Sequence, residues 1–473
     1  MTNRIVPGKP ARHLPRIAAR ALLVALTVLG LAEIVLYLLP PPPFLPPAPL
    51  RGRPVRFSGE RLVTVDYEMR TPPLPRAKAR GGCRVLCCGS SSTYGLGLPP
   101  QGAWPWRLDL RAGGALEAVN LARVGATSSD QVEIVQAALA LEPDAVVLME
   151  GNNEFLPVMA ATAVGQPIDA RAERALLALC RASRVVSWLR VLLTRPASPV
   201  PLDAPAPSGL DSVQVTDDEI ALVRDVYREN LRKVARLCRA AGVPLVICTV
   251  PVNLRLPPAI ETDRHPLRTR PDFNAVARDV AAESGTHLCA LDGFESTLFL
   301  DACHLNDSGS RRAAAGVWAA LSAAGLGGRG GASAADEAPS VWVDMAHFGD
   351  VPSFLRDHRA ALPATLADEV GRAYARHSSV SFSLADALPP IDLSGTRDLT
   401  TLALYGHIFT TAHRYARAAE VYTRASAVGA DTRRDLGWAR FFAGDLEGAR
   451  GAWAHASLDG VSLRARGVLE AAR

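Results

Sequence analysis

The chain has few lysines, few aromatic residues and no regular cysteine pattern. Only Lys9, Lys78 and Lys233 are lysines among 473 residues, aromatic residues make up 6%, and the net charge is +5. The basic residues are therefore nearly all arginines, and no arginine-rich block with interleaved aromatics occurs, which argues against a nucleic-acid partner. The eight cysteines have neither metal-ligand nor disulfide-framework spacing, so we expect no metal site and no disulfide scaffold.

The amino terminus has the pattern of a membrane anchor. Residues 1–20 contain five basic and no acidic residues, and residues 21–39 are almost wholly apolar apart from Thr27, Gly30 and Glu33. About twenty apolar residues span a bilayer as a helix, so we predict a basic cytoplasmic tail (1–20) and a transmembrane signal-anchor (21–39). A cleaved signal peptide is the alternative, but its small-residue cleavage site is missing. The positive-inside rule then predicts a cytoplasmic amino terminus and an extracytoplasmic body, periplasmic or at the cell surface.

A proline-rich segment separates this anchor from the rest of the chain. Seven of the ten residues at 40–49 are prolines. Such segments form extended polyproline helices of about 3.1 Å per residue, which predicts a spacer of roughly 30 Å over residues 40–50.

Residues 51–325 have the pattern of one α/β domain. Short apolar runs alternate with helix-like segments, which is typical of a parallel sheet covered by helices on both faces. We predict strands at 84–88, 116–121, 144–149, 244–250 and 287–291. We predict helices at 128–141, 217–241 and 272–284, and a last one that begins near Asp307.

Four polar blocks follow predicted strands or precede a predicted helix. Gly89-Ser90-Ser91 ends the first strand, Gly125 follows the second, Asn153 follows the third, and Asp301-Ala302-Cys303-His304 precedes the last helix. Each block alone is typical of a turn or a helix cap. In open α/β sheets, however, ligands bind beyond the carboxyl ends of strands, so the ordered set indicates an active site.

This ordered set resembles the SGNH (GDSL-type) hydrolase superfamily over about residues 80–325. The resemblance implies a three-layer, flavodoxin-like fold with a mostly parallel five-stranded sheet, and a serine esterase without metal or cofactor. Ser91 matches the nucleophile, and Asp301 and His304 match the DxxH pair. The oxyanion hole would then use the backbone N–H groups of Ser91 and Gly125 and the side-chain amide of Asn153. Two positions depart from the family pattern, because Ser90 and Glu154 stand where aspartates are usual.

The chemistry requires such a set of side chains. A serine hydroxyl is a weak nucleophile at neutral pH and needs an adjacent base, which in turn needs orienting. We therefore expect His304 to accept the proton of Ser91 and Asp301 to hold the imidazole in the required tautomer. Cys303 is a conceivable catalytic cysteine, but we favour a bystander role for it.

Three further regions lie outside these blocks. Residues 155–215 form an insertion, interpreted either as a lid or acyl-chain wall or, with preference, as a packed helix followed by a loop. Residues 326–340 predict a linker. Residues 341–473 predict a helical region, in which small and aromatic residues recur at an offset of 31 positions. This spacing resembles tetratricopeptide repeats, with an ordinary array of helical hairpins as the alternative.

The leading hypothesis is a membrane-anchored serine esterase that hydrolyses carboxylic O-acyl esters of a lipid or carbohydrate through an acyl-enzyme. An O-acyltransferase acting on envelope polysaccharide is one alternative, because the first half-reaction is shared. A catalytically inert scaffold that binds a protein partner through its carboxyl-terminal helices is the other.

Overall fold

A computed structural model gives the architecture of the chain. It describes residues 14–37, 55–58, 61–64, 71, 74, 77–78, 82–113, 116–163, 169–193, 215–253, 272–326, 355, 359–377, 382–456, 458 and 460–471. The predicted spacer at 40–50 and linker at 326–340 lie outside these residues, apart from residue 326, as do residues 1–13 of the predicted tail and 194–214 of the insertion.

The central sheet has five parallel strands, as the sequence predicts. A short antiparallel hairpin precedes it, formed by β1 (Val55–Ser58) and β2 (Arg61–Thr64). The sheet strands in chain order are β3 (Cys83–Gly89), β4 (Leu116–Asn120), β5 (Ala145–Met149), β6 (Leu245–Cys248) and β7 (His287–Cys289). Their spatial order is β4-β3-β5-β6-β7, so all five carboxyl ends lie at one edge of the sheet.

Alternation along the strands builds a core on each face. In β3, Leu86 and Cys88 join the cluster on one face, while Val85 and Cys87 join the cluster on the other. Successive side chains of a strand point to opposite faces, and a strand that is apolar at every position is therefore covered twice. This double cover explains why residues 85–88 are continuously apolar, and it confirms the predicted three-layer arrangement.

Helices cover both faces of the sheet. One face is covered by α4 (Ser128–Ala138), α8 (Asp217–Ala240) and α9 (Asp272–Ser284), and the other by α3 (Trp104–Arg111) and α10 (Asp307–Ala323). A four-residue helix, α2 (Ser91–Tyr94), directly follows β3. A capping box begins α8, because Thr216 and Glu219 exchange hydrogen bonds.

The amino-terminal helix α1 (Leu14–Tyr37) contains most of the predicted anchor and contacts the insertion. The insertion forms α5 (Leu156–Ala163), α6 (Ala170–Ala182) and α7 (Arg184–Leu193), and α6 packs on α8. The carboxylate of Glu33 accepts hydrogen bonds from the Ser183 hydroxyl (2.9 Å) and from the backbone N–H groups of Arg184 and Val185. The one acidic residue of α1 thus caps the first turn of α7.

Among the described segments, no helix combines the length and the apolar character that a bilayer crossing requires.

The carboxyl-terminal region is helical, as the sequence predicts. Its helices are α11 (Ala364–His377), α12 (Leu399–Thr411), α13 (Tyr415–Ala427), α14 (Arg433–Phe442), α15 (Leu446–Ala454) and α16 (Gly460–Ala471).

The 31-position offset corresponds to a repeated packing contact. Gly406 of α12 faces the ring of Tyr422, and Gly437 of α14 faces the ring of Trp453. In each hairpin, the missing side chain lets an aromatic ring of the second helix approach the first. The similarity to tetratricopeptide repeats remains a prediction.

These helices pack on the α/β domain through α3. Trp106 of α3 lies edge-on to Trp438 with ring centroids 4.6 Å apart, and both belong to a buried aromatic cluster. Arg464 of α16 forms an ion pair with Asp109 of α3, whose side chain is 1% exposed. The helical region therefore shares a core with the domain that carries the four polar blocks.

Candidate active site

The Ser91 block forms a tight turn between β3 and α2. Ser90 is extended, and its carbonyl accepts hydrogen bonds from the N–H groups of Thr93 (3.1 Å) and Tyr94 (2.9 Å). Gly89 is required by space, because a Cβ there would lie 2.3 Å from both the Met149 carbonyl oxygen and the Thr93 hydroxyl. Ser91 is thus the first helical residue beyond the carboxyl end of a central strand, where the sequence analysis places it.

The structure brings Ser91, His304 and Asp301 together. Ser91 Oγ lies 2.8 Å from His304 Nε2, and His304 Nδ1 lies 2.7 Å from Asp301 Oδ2. All three residues are buried. An ionised carboxylate can only accept, so Nδ1 carries the ring proton and Nε2 is left to accept the serine proton.

The electrostatics of the pair agree with this tautomer. Burial alone lowers the pKa of His304, but the neighbouring Asp301 carboxylate outweighs it, and the net pKa is raised well above 6.5. Conversely, burial raises the pKa of Asp301, but the interaction with His304 and three hydrogen bonds outweigh it, and the net pKa is lowered. The imidazole is therefore a stronger base than a free histidine.

The loop that holds this pair is fixed by its own aspartate. Asp301 Oδ1 accepts from the backbone N–H groups of Cys303 (2.9 Å) and His304 (2.8 Å). Asn253 adds a bond from its N–H to the carbonyl of Ala302 at 2.8 Å. The Cys303 sulfur lies 3.8 Å from His304 Nδ1, which is not the ring nitrogen that faces Ser91.

Gly125 and Asn153 lie in the loops after β4 and β5. Gly125 has φ +74° and no atom within 4 Å of where a Cβ would stand, so its backbone faces open space. The Asn153 amide Nδ2 donates to the Ala126 carbonyl at 3.0 Å. The side chain of Asn153 is therefore tied to the residue directly after Gly125.

A buried polar network beneath these loops was not predicted. Gln131 of α4 donates to the carbonyl of Gly89 (2.8 Å) and to Glu150 (3.1 Å), while Glu154 accepts from both the N–H (2.8 Å) and the hydroxyl (2.7 Å) of Ser128. Burial raises the pKa of Glu150 well above its usual range and that of Glu154 to about 7. The network joins the loops that carry Ser91, Gly125 and Asn153.

Ser92 and Asn120 were also missed, although both follow or end strands at the same edge. The Ser92 hydroxyl donates to the Cys303 carbonyl (2.8 Å) and accepts from Asn152 (3.3 Å). Asn120 donates to the carbonyls of Thr93 and Tyr94. The position of Asn120 at the carboxyl end of a strand, directly after Ala118 and Val119, was the available signal for this residue.

The two departures from the family pattern are accommodated. The Ser90 side chain makes no capping bond to α2, and the turn is instead held by Ser92 and Asn120. Glu154, one methylene longer than aspartate, reaches Ser128 with both oxygens. The Ser91 turn is therefore supported by Ser92 and Asn120, and not by the side chain at position 90, where the family has aspartate.

Among the described residues, one group has the composition of a metal site. Asp301, Cys303 and His304 place their ligand atoms within 4.8 Å of one another. In the present arrangement, Asp301 Oδ2 and His304 Nδ1 are bonded to each other, so this group is the same one that faces Ser91.

A three-layer α/β domain with serine, histidine and aspartate hydrogen-bonded in series at the carboxyl edge of its sheet has the architecture of a serine hydrolase. Residues 87–312, just under half of the chain, match the model of the GDSL-like Lipase/Acylhydrolase family. No curated protein sequence matches the chain. Over residues 87–312 the chain is therefore similar to the GDSL-like lipases and acylhydrolases.

Solved structures with similarity to the chain include two esterases. A GDSL-like lipase from Bacteroides thetaiotaomicron VPI-5482 is 13% identical, with a TM-score of 0.32 over 53% of this chain and 93% of that one. A catalytic variant of an acetylxylan esterase from Geobacillus stearothermophilus is 15% identical, with a TM-score of 0.31 over 52% of this chain and 96% of that one.

Proposed function

We propose that the chain hydrolyses carboxylic O-acyl esters with Ser91 as nucleophile, His304 as general base and Asp301 as the residue that orients the base. The observation that carries this proposal is the unbroken series of two short contacts, from Ser91 Oγ to His304 Nε2 and from His304 Nδ1 to Asp301 Oδ2.

The first half-reaction forms the acyl-enzyme. Ser91 Oγ attacks the ester carbonyl carbon as its proton passes to His304 Nε2. The tetrahedral intermediate collapses when the carbon–oxygen bond to the alcohol breaks, and the same proton goes from Nε2 to the leaving oxygen. In the second half-reaction, water loses a proton to His304 and attacks the acyl carbon, which releases the carboxylic acid and restores the Ser91 hydroxyl.

The oxyanion of each intermediate needs preorganised donors. We assign the backbone N–H groups of Ser91 and Gly125 and the side-chain amide of Asn153. An amide nitrogen carries two hydrogens, so the Asn153 contact with Ala126 leaves this side chain able to donate to an oxyanion as well. The open space around Gly125 supports the assignment, because a side chain there would crowd an incoming acyl group.

Turnover of short-chain aryl esters by the full-length protein tests the proposal. We expect Ser91→Ala to abolish turnover and Ser322→Ala, an exposed serine on α10, to leave it unchanged. A fluorophosphonate probe should modify Ser91 in the wild type, as located by peptide mass spectrometry. Modification of another residue, or equal turnover by wild type and Ser91→Ala, would exclude this mechanism. A sugar acceptor added to the assay reports whether a hydroxyl replaces water in the second half-reaction.

We also propose that the enzyme is membrane-anchored through residues 21–39, with the catalytic domain extracytoplasmic and an ester-bearing lipid or carbohydrate as substrate. The apolar run and the basic residues before it support this proposal. Large apolar side chains of α1, such as Leu22 and Ile34, are more than half exposed on the protein. Alkaline carbonate extraction of membranes and reporters fused at either end test it, and release into the soluble fraction or an exported amino terminus would contradict it.

A further inference from the structure

His413 has a backbone conformation that is uncommon for any residue other than glycine. It lies in the turn between α12 and α13 with φ +60°, in the left-handed region. The turn between α14 and α15, 31 positions later, has Gly444 with φ +87°. Glycine adopts this region without steric penalty. The equivalent turn thus has a glycine in one repeat and, at greater conformational cost, a histidine in the other.

The imidazole of His413 reaches the hydrolase domain. Its ring nitrogens lie 3.3 and 3.4 Å from the hydroxyl of Tyr94, and the two ring centroids are 5.6 Å apart. On its other side the ring stacks on Tyr415, with centroids 5.5 Å apart and an interplanar angle of 17°. Tyr415 in turn stacks on Phe442 of α14. The imidazole is therefore held between the helical region and Tyr94.

Tyr94 lies beside two segments of the candidate active site, the helix that begins at Ser91 and the loop that carries Gly125. It is the last residue of α2, whose first residue is Ser91. Its side chain packs with Leu96 and Ala122 in a small apolar cluster that Val124, next to Gly125, also joins. A shift of Tyr94 would therefore move both the nucleophile turn and the loop of a proposed oxyanion donor.

We infer that His413 is a positioning residue for ester hydrolysis, which acts through the Tyr94 hydroxyl to fix the Ser91 helix. This inference rests on the proposed function of Ser91. Backbone strain persists where the surrounding structure compensates for it, and it concentrates at functional positions. The helical region is then an integral part of the catalytic unit, because it supplies a contact to the helix that begins at Ser91.

Three variants of the full-length protein test the inference. His413→Gly reproduces the second repeat and relieves the strain, His413→Asn keeps a residue that tolerates a positive φ, and Tyr94→Phe removes only the hydroxyl. We expect each to lower kcat about five- to tenfold, the effect of losing one hydrogen bond, with KM and the thermal unfolding midpoint nearly unchanged. His455→Asn, at an exposed histidine of the same region, is the matched control and should behave as wild type.

The double variant Tyr94→Phe/His413→Gly decides whether the two residues act as a pair. We expect it to lose no more activity than either single variant, because the contact can be broken only once. Losses that multiply, or wild-type kcat in His413→Gly, would overturn the inference. A fall in unfolding temperature without a fall in kcat would show a purely structural role and would overturn it as well.

Amide hydrogen exchange separates this inference from the proposed function. We expect the peptide that contains residues 90–96 to exchange faster in His413→Gly than in the wild type, whether or not an ester substrate is turned over. Unchanged exchange there would count against a positioning role. The absence of Ser91-dependent turnover in the wild type would instead refute the proposed function, and faster exchange in His413→Gly would then show only that His413 holds the Ser91 helix in place.

Discussion

Replacing Asp301 with asparagine separates the charge of the candidate triad from its shape. Asp301 Oδ1 accepts from the backbone N–H groups of Cys303 and His304 at 2.9 and 2.8 Å, and Oδ2 faces His304 Nδ1 at 2.7 Å. Asparagine keeps one oxygen, which can hold the loop, and turns an NH₂ group toward the imidazole. The loop should therefore stay folded while the hydrogen bond to the ring is reversed.

The reversed bond leaves His304 in the wrong tautomer. An NH₂ group can only donate, so Nδ1 must accept and the ring proton moves to Nε2. Nε2 then faces the Ser91 hydroxyl with a hydrogen and cannot take its proton. In the serine-protease triad the same exchange lowers kcat about 10⁴-fold, equivalent to about 5 kcal/mol of transition-state stabilisation at 1.36 kcal/mol per tenfold. We expect a loss of this order in Asp301→Asn.

The pH profile gives a second, independent readout. His304 must be neutral to accept a proton, so activity is lost as the pH falls through its pKa, which Asp301 raises well above 6.5. Removing the carboxylate charge lowers that pKa, and the acid limb of the residual activity should move to lower pH. Measuring kcat for an aryl ester across pH, with thermal unfolding as a check on folding, tests both expectations.

Asp292→Asn is the matched control for this experiment. Asp292 follows β7 at the same edge of the sheet, but its oxygens accept from Thr249 and Arg278. We expect this variant to keep wild-type kcat and an unmoved acid limb. If Asp301→Asn lost less than about tenfold in kcat, or kept the wild-type acid limb, the tautomer argument would be refuted.

Three further predictions concern stability. Burial raises the pKa of Glu154 to about 7. The stability that Glu154 contributes is therefore present at low pH and is lost as the pH rises through that value. The unfolding temperature of the wild type should fall from about pH 5 to pH 8, and that of Glu154→Gln should fall less steeply. In Gly437→Ala, a Cβ would lie 2.0 Å from the facing indole nitrogen, which should cost about 3 kcal/mol of unfolding free energy. Gly451→Ala, with no atom within 4 Å, should stabilise by up to about 1 kcal/mol. Arg464→Ala leaves the buried Asp109 without its ion pair and should lower the free energy of unfolding by about 3–5 kcal/mol. Adding Asp109→Asn should recover part of this loss. Calorimetry measures all of these changes.

The sheet and the candidate site could be predicted because simple rules determine both. Strands covered on two faces are largely apolar, so runs such as 85–88 stand out. Parallel strands place their carboxyl ends at one edge, so polar residues that follow them meet there. Ser91 and His304 are 213 positions apart, yet the topology of five parallel strands brings them together.

The strand bounds were less predictable than the strands themselves. The predicted strand at 244–250 is longer than β6, which ends at Cys248. Val250 is still buried, although the strand pairing has stopped. Its backbone N–H donates to the side chain of Asn274 instead of a neighbouring strand. Hydropathy reports burial, whereas a strand is defined by its hydrogen-bond partners, so the two end at different residues.

The supports of the site follow no such rule. Tyr94 and His413 are 319 positions apart and meet because contacts such as Trp106 with Trp438 and Arg464 with Asp109 dock the helical region on α3. Nothing in a tyrosine after a serine-rich turn, or in a histidine between two helices, indicates that docking. The one local signal is comparative, since His413 stands 31 positions before Gly444, where the repeat calls for a residue that accepts a positive φ. An internal repeat therefore serves as its own reference, and a costly departure from it indicates where a side chain is needed for a contact outside the repeat.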